Sequence, residues 1–341
     1  MILPLRIGLA TARRWLSAEL AGSRELAAIE GLALRLPDAM SAIGFEVRLA
    51  ESESEIDFGT VIHAVDAGRE ILRGALDDQA ADTLATEWPA RPKAFLRRWC
   101  DPTSSLYDGI TRVFFEFDMS TVAADPPVPC LFATLDELAW ARDPKSLFSL
   151  ADEALRLLTG EGTREASDSF RLCATELPMG SVPLHVGAML ARADCPVRFC
   201  GWIPAGLLPA YLERVHAPID LRLARDLCGL EQSALTFQLT LVSGVITPRL
   251  DVEWTFRRQP RTEARWEGLL RRLMKRDLCS ASKCDALLRW PGLSMEESDS
   301  STGHLVTRGI SHIKVSAKTA SDLSGKAYLT LAPLRSFRPP E

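Results

Sequence analysis

Residues 309–333 read GISHIKVSAKTASDLSGKAYLTLAP, and both halves alternate. Ile313, Val315 and Ala317 share one face of the first half, and His312, Lys314 and Ser316 share the other. In the second half Ala327, Leu329 and Leu331 face one way, and Lys326, Tyr328 and Thr330 the other. A period of two is the mark of a strand with unlike faces. The stretch therefore reads as a hairpin with one apolar face. Its other face carries two ammonium groups, an imidazole and a phenol.

Four earlier stretches follow the same rule, at residues 45–63, 111–135, 183–203 and 234–256. The last is the plainest. Leu235, Phe237, Leu239 and Leu241 alternate with Thr236, Gln238 and Thr240, and Ser243-Gly244 supplies a two-residue turn. Between the hairpins the period becomes helical, and each interval divides in two. The N-terminal stretch, read as the first helix or strand, breaks at Ala21-Gly22-Ser23, and Pro89 divides the interval after residue 75. Asp143-Pro144 supplies an N-cap and a first-turn proline, and Gly160 a C-terminal stop. Thr134 and Glu137 have the spacing of a capping box for the preceding helix. Residues 161–182 show no clear period and read as a loop or a strand-bearing insertion.

The order is a helix pair followed by a hairpin, five times over. An open sheet with helices on one side and water on the other would give the same alternation. Twisted open sheets rarely reach ten strands, whereas closure removes every edge. The expected architecture is α+β: a ten-stranded antiparallel β-barrel ringed by helices, as one domain over residues 1–341. The polar faces then line the lumen. They bring together Glu46, Arg48 and Asp57 with Arg112, Phe114, Glu116 and Asp118. His185, Arg198, Cys200 and Trp202 join them, as do Gln238, Thr240, Arg249, Asp251 and Glu253. The opening hairpin adds His312, Lys314, Lys326, Tyr328 and Thr330.

Composition narrows the function. A net charge of −5, with cations scattered among acids, gives no footprint for nucleic acid. No apolar run is long enough for a membrane span. Eight cysteines without a CxxC pair suit reduced thiols and a cytoplasmic protein rather than a disulfide framework or a zinc site. The signatures GxSxG, HExxH, GxGxxG and the P-loop are absent. Paired arginines such as Arg13-Arg14 read as solvated faces.

Five α-β-β-α units around ten strands resemble the ABBA, or PT-barrel, family of aromatic and peptide prenyltransferases. Residues 52–59, SESEIDFG, resemble the stretch that carries a magnesium-binding aspartate in soluble bacterial members. The resemblance implies transfer of a prenyl group from an allylic diphosphate to an aromatic or peptide side chain, as in natural-product tailoring. It implies Asp57 as a ligand for Mg2+, with Asp118 as a second carboxylate. It implies Arg48, Arg198, Arg249, Lys314, Lys326 and Tyr328, with His312, as the donor's binding groups. Glu116 is the carboxylate that would take the acceptor's proton or steady the cation, and Phe114 and Trp202 are the aromatics that would shield the allyl cation. Two features depart from the family: there are only three tyrosines, and the lumen is rich in acids. These suit a cationic or peptide acceptor. They also suit a barrel that binds a ligand or peptide as an accessory protein and performs no chemistry.

Overall fold

The computed structural model describes residues 2–50, 55–78, 87–120, 127–160, 163–231, 234–296 and 304–334. Eight strands form four hairpins: β1 (Ala42–Arg48) with β2 (Ile56–His63), β3 (Ile110–Phe117) with β4 (Cys130–Leu135), β5 (Val182–Ala188) with β6 (Val197–Pro204), and β7 (Ala234–Val242) with β8 (Val245–Trp254). Three more follow: β9 (Gly292–Glu296), β10 (His304–Thr319) and β11 (Asp322–Pro333). All neighbours run antiparallel. β8 pairs with β10, β10 with β11, and β11 with β1, so ten strands close into a barrel. β9 stands outside the ring and, among the described residues, pairs only with the first half of β10. The sequence reading missed it, because Leu293 and Met295 lie exposed and Ser294 is buried, the reverse of an amphipathic strand.

Closure puts the five hairpin turns at one rim and the helical connections at the other. Ser243 and Gly244 both take positive φ, 49° and 76°, which two-residue hairpins require. Helix pairs cover the outer face. Outward rings run around the barrel, with Phe45 on Phe58 (6.0 Å between centroids), Phe58 on Phe117 (6.3 Å) and Phe199 on Phe237 (5.9 Å). From outside the barrel, Trp88 stacks on Phe115, and Phe170 of the helix Thr163–Thr175 meets Phe199 edge-on. The main apolar core therefore lies between sheet and helices, and the alternation leaves polar side chains to the lumen.

The helix stops behave as their chemistry dictates. Asp143 accepts a hydrogen bond from Lys145 N–H, Pro144 opens the helix Pro144–Thr159, and Gly160 follows at φ 72°. Two expectations are corrected. Residues 163–175 form a helix whose residues Ala166, Phe170, Cys173 and Ala174 pack into the core, rather than a loop or strand. Thr134 is no cap: it belongs to β4, and its hydroxyl shares a 2.9 Å hydrogen bond with His185 Nδ1 in the lumen. Most of residues 77–88, read as helix, lie outside the described residues.

Candidate active site in the barrel lumen

The lumen side chains form a layered ionic network. Glu46 on β1 accepts hydrogen bonds from Lys326 Nζ and Tyr328 Oη on β11, directly across the seam of closure. Lys314 on β10 donates to Tyr328 Oη at 2.8 Å and lies 3.1 Å from Glu253 on β8. Glu253 also accepts from Gln238 Nε2 at 2.6 Å. His312 stacks on Tyr328 with centroids 4.0 Å apart. Nearer the turn rim, Asp251 accepts from Arg198 at 2.8 Å and from Arg249 at 3.0 Å, and Arg249 also reaches Ser316 at 3.1 Å. Arg48 donates to Asp57 at 3.1 Å.

Burial and pairing set the charge states. Burial pushes the Glu46 carboxyl upward, but the Lys326 and Lys314 ammoniums outweigh it and hold the group well below the usual range. Burial likewise opposes Asp251, yet Arg198, Lys314 and Arg249 hold it at about 2. Lys314 is kept charged against its burial by Glu253, Asp251 and Glu46. The imidazoles go the other way. Burial lowers His312, and burial with Arg112 nearby lowers His185 to about 4, so both are neutral at pH 7.

Glu116 stands apart. Among the described residues no hydrogen bond or ion pair reaches its carboxyl. Burial raises it to about 7; Lys314 opposes this, and Glu46 and Glu253 add to it. It sits where two cavities meet. One, of about 120 Å³, lies toward the helix rim and is lined by Gly44, Gly59, Val61, Phe114, His312 and Thr330. The other, of about 40 Å³, lies toward the turn rim among Arg192, Arg198, Arg249, Asp251, Lys314 and Lys326. Glu46, Asp57, Glu116 and Tyr328 line both. A carboxyl poised near neutrality between a mainly apolar chamber and a cation-rich one is placed to exchange a proton.

The sequence-read residues converge with few exceptions. Arg48, Arg198, Arg249, His312, Lys314, Lys326, Tyr328, Glu116, Asp57 and Phe114 all face the lumen. Phe114 lies edge-on to His185 at 5.6 Å. Trp202 has the lumen phase but lies at the helix rim, 37% exposed, and lines neither cavity. The other two tyrosines are outside: Tyr211 packs on Phe237 in the outer core, and Tyr107 lies against Arg69. Sequence reasoning missed the Gly44–Gly59 pair, Thr134 as partner of His185, and Met189 and Arg192, which the β5–β6 turn brings into the polar cavity. Only the glycines carried a signal, as strand-interior glycines on the polar face.

The donor set does not fit Mg2+ at Asp57. Its oxygens accept from the Arg48 guanidinium and, at 2.9 Å, from Met119 N–H. Burial and the neighbouring Glu46 carboxylate raise it to about 6, which disfavours the ionised ligand a hard cation needs. Asp118 lies 3.6 Å from Arg192 and accepts from Ser120. Among the described residues, no group of three or more His, Cys, Asp or Glu is arranged around a common metal position.

The architecture defines a class. A closed ten-stranded antiparallel barrel inside a ring of helices, with its polar groups turned inward, is the PT-barrel fold. Solved structures match along nearly the whole chain. 5-Dimethylallyltryptophan synthase from Streptomyces coelicolor is 14% identical with a TM-score of 0.56, over 96% of this chain and 98% of that one. AnaPT from Neosartorya fischeri is 14% identical with a TM-score of 0.52, over 85% of this chain and 77% of that one. No family model and no curated protein matches the sequence. Among the described residues, no helix is long and apolar enough to cross a membrane.

Proposed function

We propose that the barrel transfers a prenyl group from an allylic diphosphate to an aromatic or peptide side chain, and that Glu116 takes the acceptor's proton. The observation that carries this reading is the position of Glu116, half-buried where the two cavities meet and, among the described residues, with no hydrogen bond or ion pair to its carboxyl. The C–O bond of the donor breaks, and the diphosphate leaves with the bonding pair toward Lys314, Lys326, Arg198 and Arg249. Fixed cations favour the developing negative charge best where water is excluded. The allyl cation is flanked by Phe114 and by the Tyr328–His312 stack. The acceptor atom forms the new bond, and its proton passes to the Glu116 carboxylate. A dimethylallyltryptophan synthase shares the fold, which supports the same class of reaction.

One observation favours a second reading. Arg198, Arg249, Arg48, Lys314 and Lys326 each already meet a carboxylate in the lumen. A diphosphate would compete with Asp251, Glu46 and Glu253 for these groups. A barrel so neutralised also suits an accessory protein that holds a ligand or peptide without chemistry. Calorimetry with an unreactive thiolo-diphosphate separates the two. Heat of binding supports transfer, and its absence with C5, C10 and C15 donors supports the binding barrel.

A further inference from the structure

Gly44 and Gly59 lie directly opposite each other on β1 and β2, both on the lumen face, and both line the apolar cavity. Glycine in a strand interior weakens the strand by roughly 0.5–1 kcal/mol relative to alanine, so its presence needs a reason. Backbone conformation is not the reason, since neither residue has positive φ. Crowding is not the reason at Gly59, where an added Cβ would meet only Phe115 O, at an ordinary 3.7 Å. At Gly44 a side chain would press on the backbone carbonyl of Leu329 at 3.1 Å, so close packing against β11 accounts for that glycine. What Gly59 leaves is room. Strand glycines of this kind mark close approach of a ligand to backbone.

The room has a definite chemistry. Val61 and Phe114 flank it, and Tyr328 and His312 close its far side. Glu116 is the register partner of Gly59 on β3, so the proposed proton acceptor stands beside the hollow. At about 120 Å³ the cavity is well below the roughly 300–1,000 Å³ of drug-sized ligand pockets. We propose that Gly59 is a specificity-determining residue: its missing side chain leaves the seat of the ligand's hydrocarbon, and the surrounding walls limit that hydrocarbon to one branched five-carbon unit. The assignment of that hydrocarbon as the donor's rests on the prenyl-transfer reading; the hollow itself does not.

The test uses the full chain, Gly59→Val, Gly59→Ala and four probes: inorganic diphosphate, the C5 and C10 thiolo-diphosphates, and the neutral alcohol prenol. Affinities come from calorimetry and from ligand-observed NMR. In the parent, the C5 analogue binds at least tenfold tighter than inorganic diphosphate and C10 gains nothing further. In Gly59→Val the C5 advantage disappears, inorganic diphosphate is unaffected, and thermal stability holds or rises. Gly59→Ala, which adds one carbon, falls between. If C5 binds the parent and Gly59→Val equally, the inference is overturned while prenyl transfer stands. If no diphosphate binds but prenol binds the parent and not Gly59→Val, the hollow stands and prenyl transfer falls. If prenol fails to bind the parent, or binds both alike, and no C5 advantage is seen, the hollow is not a hydrocarbon seat.

Discussion

Glu46 of the first strand accepts a hydrogen bond from the phenol of Tyr328 on the last strand, and Lys326 donates to the same carboxylate. The two residues are register partners across the seam that closes the barrel. Removing one member of a buried charged pair costs about 3–5 kcal/mol, because the survivor is left desolvated. Glu46→Ala should lose that much in urea unfolding. Tyr328→Phe, which removes one hydrogen bond to a charged group, should lose about 1.5–3 kcal/mol. A Tyr328→Phe variant within 0.5 kcal/mol of the parent would show that the seam is held by backbone pairing alone.

Glu116 should make stability depend on pH in a particular direction. Its carboxyl ionises near 4.5 when unexposed to the fold and at about 7 within it. The folded state therefore retains a proton that the unfolded chain has released. Below 4.5 both are neutral, and the stabilising contribution is complete; it is lost as pH rises to about 7. The loss is of order 3 kcal/mol, at 1.36 kcal/mol for each pH unit. Glu116→Gln should lack this component. Comparing the two proteins by denaturant midpoint at pH 5 and pH 7.5 measures it. Parallel curves would mean that Glu116 titrates normally.

Asp251 is 1% exposed and accepts from both Arg198 and Arg249. In Asp251→Asn both guanidiniums lose their counter-charge. Stability should fall by several kcal/mol, since buried Arg198 is left without an anion and half-buried Arg249 loses its partner as well. Affinity for inorganic diphosphate should rise, by tenfold or more if the ligand takes the vacated place of the carboxylate. Titration calorimetry at low salt reads the change. Unchanged or weaker binding would mean that the ligand does not use these arginines.

Lys314 and Lys326 should each matter for the ligand and for the fold. A charge-assisted hydrogen bond to phosphate is worth about 1.5–3 kcal/mol, so Lys314→Ala or Lys326→Ala should weaken diphosphate binding by roughly 10- to 150-fold. Each change also strands a buried carboxylate, Glu253 or Glu46, so stability should fall as well. Variants that bind diphosphate like the parent would reduce the network to a structural role.

The phase of the strands was legible because each hairpin is exposed to two unlike environments. Phe237 and Gln238 point apart on β7, and one reaches the helices while the other reaches Glu253. That contrast survives in any sequence that builds such a wall. The pairing among lumen groups was not legible. That Asp251 would meet Arg198, 53 residues away, and Glu46 meet Tyr328, 282 residues away, depends on the tilt of a closed sheet. Alternation fixes a face and says nothing of register around the ring. The helix at 163–175 escaped notice because Arg164, Glu165 and Ser167 begin it with polar residues and blur its apolar stripe. β9 escaped because an appended strand needs only one partner and no buried face of its own.

Closure also imposes an order of events during synthesis. β1 and β2 can pair as soon as residue 63 is available, but the other edge of β1 waits for β11 at residues 322–333. Until then its backbone donors and acceptors are open to any extended chain, and such edges invite aggregation. Every residue up to β11 must emerge before the ring can be locked. A chain ending before Asp322 should therefore accumulate as insoluble material even though most of its helices and strands are intact, and supplying residues 322–333 as a separate peptide should recover part of it in solution.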